Sequence, residues 1–221
     1  IFSNTTSSAD KSHGWTHGYA MALQNAGSAT ATYQWYASDS GNPTGIFIAG
    51  ADKIMSDKEG YTHSGYLQTS NYAAGIAAKS YTAKDRNGNT IATPSCSSGW
   101  YLPSSGQWYD ICTNLGGMVI ASGKAYTLSK DWYLRWYGGD DGSNKNYSSL
   151  CVSAINVYLN ILKGKGYNVD LFGDNNEYYW SSSEYSSSGT FGVYFYSNND
   201  MGFYGDRSKM GSNRVRAVIA F

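Results

Sequence analysis

The residues best suited to bind a ligand lie near the end of the sequence, where two kinds of side chain alternate. In the predicted strand 191–196, one face carries Phe191, Val193 and Phe195, and the other carries glycine and tyrosine. The outward set comprises Tyr194, Tyr196, Asp200, Tyr204, Asp206, Ser208 and Ser212. Tyrosine provides a large, rigid contact area at low entropic cost, and serine, glycine and asparagine adapt their hydrogen bonds. This composition is typical of antibody combining sites and predicts a binding surface; a polar strand face with tolerant loops is the alternative.

Residues that could hold a metal ion are few and poorly spaced. Asp140, Asp141 and Asn144 offer oxygen ligands for Ca²⁺, but they lack the spacing of an EF-hand loop, so a solvated turn is expected. The stretch 174–177 (DNNE) is similar. His13 and His17 are four residues apart but have no obvious third ligand, which favours a structural or surface role. We therefore expect neither a metal nor another cofactor.

Motifs of common enzymes are absent from the sequence. It contains no G-x-S-x-G elbow, no H-E-x-x-H pair and no G-x-x-x-x-G-K-[ST] phosphate loop. Cys96, Cys112 and Cys151 show neither C-x-x-C spacing nor an even number, and every histidine is far from them in sequence. Cys112 is expected to be a buried thiol, and a disulfide between Cys96 and either other cysteine stays open. We expect a protein that is not an enzyme.

The composition excludes several classes of protein. The charged residues balance to a net charge of +0, which argues against a nucleic-acid-binding surface. The 21 Tyr, 7 Trp and 7 Phe residues supply apolar area for a folded core, and 26 Gly residues indicate many tight turns. No apolar run approaches the roughly 20 residues of a membrane span. We expect one domain over residues 1–221, and the missing initial Met indicates a mature or trimmed product.

The spacing of apolar residues predicts helices early in the chain and strands late. Helices are predicted over 14–26, within 53–80, after Pro103, where Trp108, Ile111, Cys112 and Leu115 form an apolar stripe, and over 149–163. Strands are predicted over 31–36, 191–196 and 214–221, and a hairpin turn at Asn87-Gly88. This order of elements indicates an α+β fold.

Three segments resemble a bacterial C-type-lectin-like family. Residues 99–104 (GWYLPS) followed by Trp108 are similar to its G-W-x-L-P-S…W segment, residues 179–184 match its YWSSSE motif, and residues 213–218 match its closing N-R-V-R-A-V. Residues 14–20 (GWTHGYA) resemble the helix that opens such domains in gut Bacteroidales. The resemblance implies a C-type-lectin-like fold with paired terminal strands, two main helices, long loops and a small twisted antiparallel sheet.

One group within this family is formed by the target proteins of diversity-generating retroelements, which this sequence resembles. In them an error-prone reverse transcriptase rewrites adenines in a C-terminal repeat, so that Asn codons scatter into Tyr, Ser, Asp, Gly and other codons. The resemblance implies a variable segment at about 185–213, with ligand-binding positions Gly189, Gly192, Tyr194, Tyr196, Asp200, Gly202, Tyr204, Asp206, Ser208, Gly211 and Ser212, and with Gly205 also variable. Met201 and Met210 cannot arise from such an Asn codon, so they are fixed or come from another template codon.

The resemblance also implies a protein or glycan ligand, and a place on the cell surface, in the secreted fraction or on a phage tail. The calcium-dependent sugar motifs of C-type lectins are absent, so calcium and mannose-type binding are not implied. Two alternatives stay open. One is a non-diversified structural domain of a fimbria or virion. The other is an enzyme on the same fold, shared with the formylglycine-generating enzymes, in which Asp140, Asp141 or Glu184 is an acid or metal ligand. For Glu184 a structural role in the Ser-rich turn is favoured.

Overall fold

The computed structural model describes residues 1–38, 40–118, 132–136, 145–173, 176–196 and 200–221. Its helices are α1 (Ser8–Ser12), α2 (Ala51–Ser56), α3 (Gly60–Tyr66), α4 (Ala73–Lys79), α5 (Ser105–Asp110) and α6 (Tyr147–Gly164), and α5 continues into a π-helical turn, Ile111–Leu115. Its strands are β1 (Tyr19–Met21), β2 (Tyr33–Gln34), β3 (Tyr133–Trp136), β4 (Glu177–Glu184), β5 (Gly189–Phe195), β6 (Met201–Ser208), β7 (Ser212–Asn213) and β8 (Val218–Ala220). The predicted α+β class is confirmed.

The main sheet is antiparallel, with the strand order β3-β6-β5-β4. In its register Tyr194 pairs with Tyr178 on one side and with Gly202 on the other. Because side chains alternate along a strand, this register separates two faces of the sheet. Phe191, Val193 and Phe195 lie in the hydrophobic core, as the alternation predicted.

Two short pairs of strands join the N-terminal part of the chain to its C-terminal part. β1 pairs antiparallel with β8, with Tyr19 opposite Ala220, and β2 pairs antiparallel with β7. The expected pairing of terminal strands is therefore present. The predicted strand 214–221 is only partly regular, because β8 covers Val218–Ala220 and Arg214 makes a single bridge to Tyr179.

The predicted helix over 14–26 is wrong. The spacing of Trp15, Tyr19, Ala22 and Leu23 suits a helix, but this stretch contains β1. The Tyr19 hydroxyl donates a hydrogen bond to Asp10 at 2.5 Å, and the ring is buried. Pairing with β8 therefore overrides the local helical pattern, as tertiary contacts often do.

Of the other three helix predictions, two are confirmed and one corresponds to several shorter helices. The helix after Pro103 is confirmed as α5, which begins after Ser104, whose backbone N–H donates to Gln107 Oε1 at 3.0 Å. The helix over 149–163 is confirmed as α6, where Asn146 Oδ1 accepts from Ser149 N. The stretch 53–80 holds three short helices, α2 to α4, instead of one.

Buried tryptophans join the N-terminal part of the chain to β4. Trp108 Nε1 donates to the Trp180 carbonyl at 3.0 Å, Trp180 Nε1 to the Tyr33 carbonyl at 2.6 Å, and Trp35 Nε1 to the Ser181 carbonyl at 2.8 Å. Each of these three indole N–H groups thus has a partner, which avoids the cost of an unpaired donor in the core. These contacts hold β4 in place at the edge of the main sheet.

Within the described ranges, no helix combines the length and the apolar character needed to cross a membrane.

Candidate functional site

The outer side of the main sheet carries five tyrosines, which we call the tyrosine face: Tyr133, Tyr178, Tyr194, Tyr196 and Tyr204. The rings of Tyr133 and Tyr194 stack with centroids 6.3 Å apart, and those of Tyr194 and Tyr196 are 4.5 Å apart. Tyr133 and Tyr204 meet edge to face at 5.7 Å. Neighbouring rings at these distances stabilise one another and give the surface a defined shape.

Hydrogen bonds between phenols order the rings further. The Tyr194 hydroxyl donates to the Tyr133 hydroxyl at 2.8 Å, and the Tyr178 hydroxyl donates to that of Tyr196. Burial, followed by the hydrogen bond to Tyr133, raises the pKa of Tyr194 well above its ordinary value. Burial and the bond to Tyr196 raise the pKa of Tyr178 in the same way. The Tyr194 and Tyr178 phenols are therefore uncharged at neutral pH.

From the alternation of side chains we expected Tyr194 to be an exposed anchor, but its side chain is buried. It lies on the outer side of the sheet but is only 1% exposed. The rings of Tyr133, Tyr178 and Tyr196 surround it and remove it from solvent. The other four rings of the tyrosine face are half-buried, so they offer contact area to a ligand.

Asp200 is also buried, contrary to the expectation that it faces solvent. It is 3% exposed, and Arg135 Nη1 lies 3.6 Å from its Oδ2. Arg135 in turn donates to the Tyr133 hydroxyl at 3.0 Å and lies over the same ring. Asp200 thus neutralises Arg135 and supports the tyrosine face from its edge.

A bulge in β6 changes which side chains reach the tyrosine face. Thr190 pairs with Arg207 and Gly192 with Tyr204, so Gly205 and Asp206 together oppose the single residue Phe191. After the bulge the side chain of Arg207 lies over the Tyr178 ring, 4.3 Å from its centroid. Asp206 and Ser208 are exposed, as expected, but Arg207 is the residue that joins the tyrosines.

Several glycines expected to vary have no room for a side chain. A Cβ on Gly202 would lie 2.3 Å from the Leu134 carbonyl oxygen, and one on Gly189 would lie 2.6 Å from the Gly205 carbonyl oxygen. A Cβ on Gly205 would lie 2.7 Å from the Phe191 ring. Gly192 is less restricted, with its nearest atom, the Tyr179 carbonyl oxygen, at 3.2 Å. Close packing of the strands therefore constrains part of the predicted set.

The remaining predicted positions lie toward β7. Gly211 is half-buried and Ser212 is exposed. Met201 is fully buried, where it pairs with Phe195 and Trp136, which explains a fixed residue at this position. Met210 is 42% exposed, and the structure gives no reason for a methionine there.

Glu184 takes part in a buried ion pair that sequence reasoning did not identify. Its Oε1 lies 2.5 Å from Lys209 Nζ, and both side chains are 0% exposed. Lys209 Nζ also donates to the carbonyls of Gly41, Ser186 and Ser187, at 2.6, 2.9 and 3.0 Å. Glu184 Oε2 accepts from the Thr44 backbone N–H at 2.9 Å. This arrangement suits the structural role favoured for Glu184 and leaves its carboxylate inaccessible to a substrate.

Other candidate groups lie apart from the tyrosine face. Asp140, Asp141, Asn144, Asp174 and Asn175 fall outside the described residues. Across the described part of the chain, no three His, Cys, Asp or Glu side chains are placed to share a metal ion. His13 stacks on Trp15 with centroids 4.8 Å apart.

No disulfide links Cys96 to Cys112 or Cys151. All three are free thiols; Cys96 is exposed, and Cys112 and Cys151 are buried. Cys112 is therefore the buried thiol that was expected. The hydrogen bond with Cys151, followed by burial, raises the pKa of the Cys112 thiol.

A cleft of about 1120 Å³ lies between α4 and the turn at Asn87-Gly88. Its ionisable lining residues include Lys84, Asp85 and Arg86. The Asp85 carboxylate is engaged in the turn, where Oδ1 accepts from the backbone N–H groups of Asn87 and Asn89. None of the five tyrosines of the tyrosine face lines this cleft.

No protein-family model and no curated protein matches this sequence. Among solved structures, the chain is similar to a fimbrial protein from Bacteroides ovatus, with 16% sequence identity and a TM-score of 0.48. The alignment covers 99% of this chain and 39% of that protein, so this chain spans less than half of that protein's length.

The site residues that sequence reasoning missed are Tyr133, Tyr178, Arg135 and Arg207. Residues 133–136 (YLRW) alternate between the tyrosine face and the core, so a period of two was readable there. Tyr178 directly precedes the YWSSSE motif and pairs with Tyr194. Arg207 carried no such signal, because the bulge reverses the alternation just before it.

Proposed function

We propose that this chain is a ligand-binding module of the C-type-lectin-like kind and that the tyrosine face is its binding surface. The observation that carries the proposal is the cluster of five tyrosine rings on the outer side of the main sheet, four of them half-buried. Rigid rings held by their neighbours lose little entropy when a ligand binds. A partly exposed tyrosine can therefore contribute about 2 kcal/mol or more if it is a hot spot.

Within the proposed variable segment, some residues support the fold and others are open to change. The core residues Val193, Phe195 and Phe203 are fully buried, and the ion pair of Lys209 ties the segment to the rest of the chain. Tyr196, Tyr204, Asp206, Ser208 and Ser212 are half-buried or exposed and can change without disturbing that support. We propose that a retroelement diversifies these positions in an adhesin or receptor-binding protein on a cell or phage surface.

A non-diversified structural domain of a fimbria or virion is the second candidate. The close-packed glycines favour it, because Gly189, Gly202 and Gly205 cannot accept larger residues without moving backbone or a core ring. Those positions would then be constant among relatives. The two candidates differ on Tyr196 and Tyr204, which are half-buried and would vary only in a diversified protein.

A peptide selection tests binding at the tyrosine face. Random 12-residue peptides displayed on phage are selected against the whole chain, and the affinities of the recovered peptides are measured for two double variants. The site variant is Tyr196→Ala with Tyr204→Ala. The matched control is Tyr66→Ala with Tyr158→Ala, which removes tyrosines that are 51% and 50% exposed elsewhere.

We expect the site variant to weaken binding by about tenfold or more and the control to leave it unchanged. Peptides that bind both variants equally well would place the preferred binding surface elsewhere and count against the proposal. Thermal unfolding of both variants checks that each is folded.

A further inference from the structure

We propose that Arg207 makes the tyrosine face selective for acidic protein segments, by binding a carboxylate beside the tyrosine rings. The inference rests on the function proposed above and names the chemistry of its ligand. Arg207 is half-buried and reaches the tyrosine face because of the bulge in β6.

The guanidinium of Arg207 is held in one orientation. It lies over the Tyr178 ring at 4.3 Å, and Nη2 donates to Asn213 Oδ1 at 3.2 Å. Asn213 is itself buried. A guanidinium has five N–H donors, and an arrangement that is already oriented loses less entropy when it binds a carboxylate.

Among the described residues, the other cations around the tyrosine face have an ion-pair partner, and Arg207 has none. Asp200 is paired with Arg135, Glu177 with Arg214, and Glu184 with Lys209. Among the described residues, no carboxylate forms an ion pair with Arg207, including its neighbour Asp206. A ligand carboxylate would therefore meet a cation that no carboxylate among the described residues already neutralises.

Aromatic surroundings strengthen this interaction. The ring of Tyr178 covers one side of the guanidinium, so part of its hydration is already lost before a ligand arrives. A charge-assisted hydrogen bond in such a setting is stronger than one in open water. The neighbouring Tyr196 and Tyr204 favour a protein segment that places apolar or aromatic side chains next to an Asp or Glu.

The peptide selection described above tests this inference when it is repeated with Arg207→Gln and Arg207→Lys. The matched control is Arg86→Gln, which removes an exposed arginine that lies over the Tyr167 ring at 6.0 Å. Peptides selected on the unchanged chain should be enriched in Asp and Glu relative to the library. Arg207→Gln should weaken their binding by about tenfold, as should Asp→Asn or Glu→Gln in the peptide.

Arg207→Lys should retain part of the affinity, because it keeps the charge but loses the planar guanidinium that stacks on Tyr178. Selected peptides that depend on Tyr196 and Tyr204 but show no enrichment in acids would overturn the role of Arg207 and leave the proposed function standing. Peptides that do not depend on those tyrosines would overturn both. Arg207-dependent binding of polysialic acid or heparin without any acidic peptide would overturn the assignment to a protein ligand.

Discussion

Tyr194 and its neighbours show how residues of one type on one face can have different roles. Tyr194 is enclosed by other rings and donates its hydroxyl to Tyr133, whereas Tyr196 and Tyr204 keep part of their surface open. Enclosed rings contribute to stability, and open rings are available for contact with a ligand. Sequence alternation places all three on one face but cannot show which ring covers another.

Replacing Tyr194 by Ala should lower the free energy of unfolding by about 3–5 kcal/mol, because it empties a buried site the size of an aromatic ring. Tyr196→Ala should cost about 1 kcal/mol, since its ring is half-buried. Urea unfolding followed by tryptophan fluorescence measures both values. Equal losses for the two variants would show that the rings do not divide in this way.

The raised pKa of Tyr194 predicts a loss of stability at alkaline pH. Unfolded tyrosine ionises near pH 10, and the folded state holds the pKa of Tyr194 above that value by burial and by the bond to Tyr133. This contribution is fully present below about pH 10 and is lost as the pH rises toward the folded pKa. We therefore expect the free energy of unfolding to fall less between pH 8 and pH 11 in Tyr194→Phe than in the unchanged chain. An identical fall in both would exclude this source of pH dependence.

Strand β6 has two features that depend on its neighbouring strands. Its backbone lies close to β3 at Gly202, and the alternation of its side chains shifts by one residue at the bulge. Gly202 allows β6 to lie against β3, and the bulge at Gly205 and Asp206 brings Arg207 to the tyrosine face. Neither feature was predictable from the alternation of residue types, because both depend on the neighbouring strands. The positions expected to vary include glycines that the packing of β6 requires.

Gly202→Ala should destabilise the chain by about 1–3 kcal/mol, since its Cβ would lie 2.3 Å from the Leu134 carbonyl oxygen. Gly65→Ala in α3 is the matched control, because a Cβ there has open space and alanine favours a helix. Denaturant midpoints for the two variants give the comparison. A neutral Gly202→Ala would mean that this position can be diversified freely.

Lys209 anchors the segment between β6 and β7 through its ion pair with Glu184. Lys209→Met should cost about 3–5 kcal/mol, because it leaves a buried carboxylate without its partner. Adding Glu184→Gln to that variant should restore part of the loss. Lys163→Met, at an exposed position of α6, serves as the control, and equal stability of all these variants would contradict the anchoring role.

For the molecule as a whole, the sequence predicts the α+β class, the two clearest helices and the core face of β5. These features follow from local periodicity, in Trp108 and Ile111 for α5 and in Phe191 and Val193 for β5. The wrong helix over 14–26 and the missed ion pair of Lys209 depend on contacts between distant segments. In the candidate site, the sequence pattern places Tyr196 and Tyr204 on the outer face, whereas the position of Arg207 and the burial of Tyr194 required the folded structure.

We propose that Tyr196, Tyr204 and the exposed positions beside them form a diversified binding surface on a fixed scaffold. DNA sequencing of the locus in many isolates tests it most directly. We expect a reverse transcriptase gene and a near-identical repeat that differs only at adenines, with changes concentrated in the codons of Tyr196, Tyr204 and the exposed positions. The codons of Gly202 and Lys209 should stay constant. A locus with neither the repeat nor the reverse transcriptase gene, and with Tyr196 and Tyr204 identical in every isolate, would contradict diversification and favour a fixed structural domain.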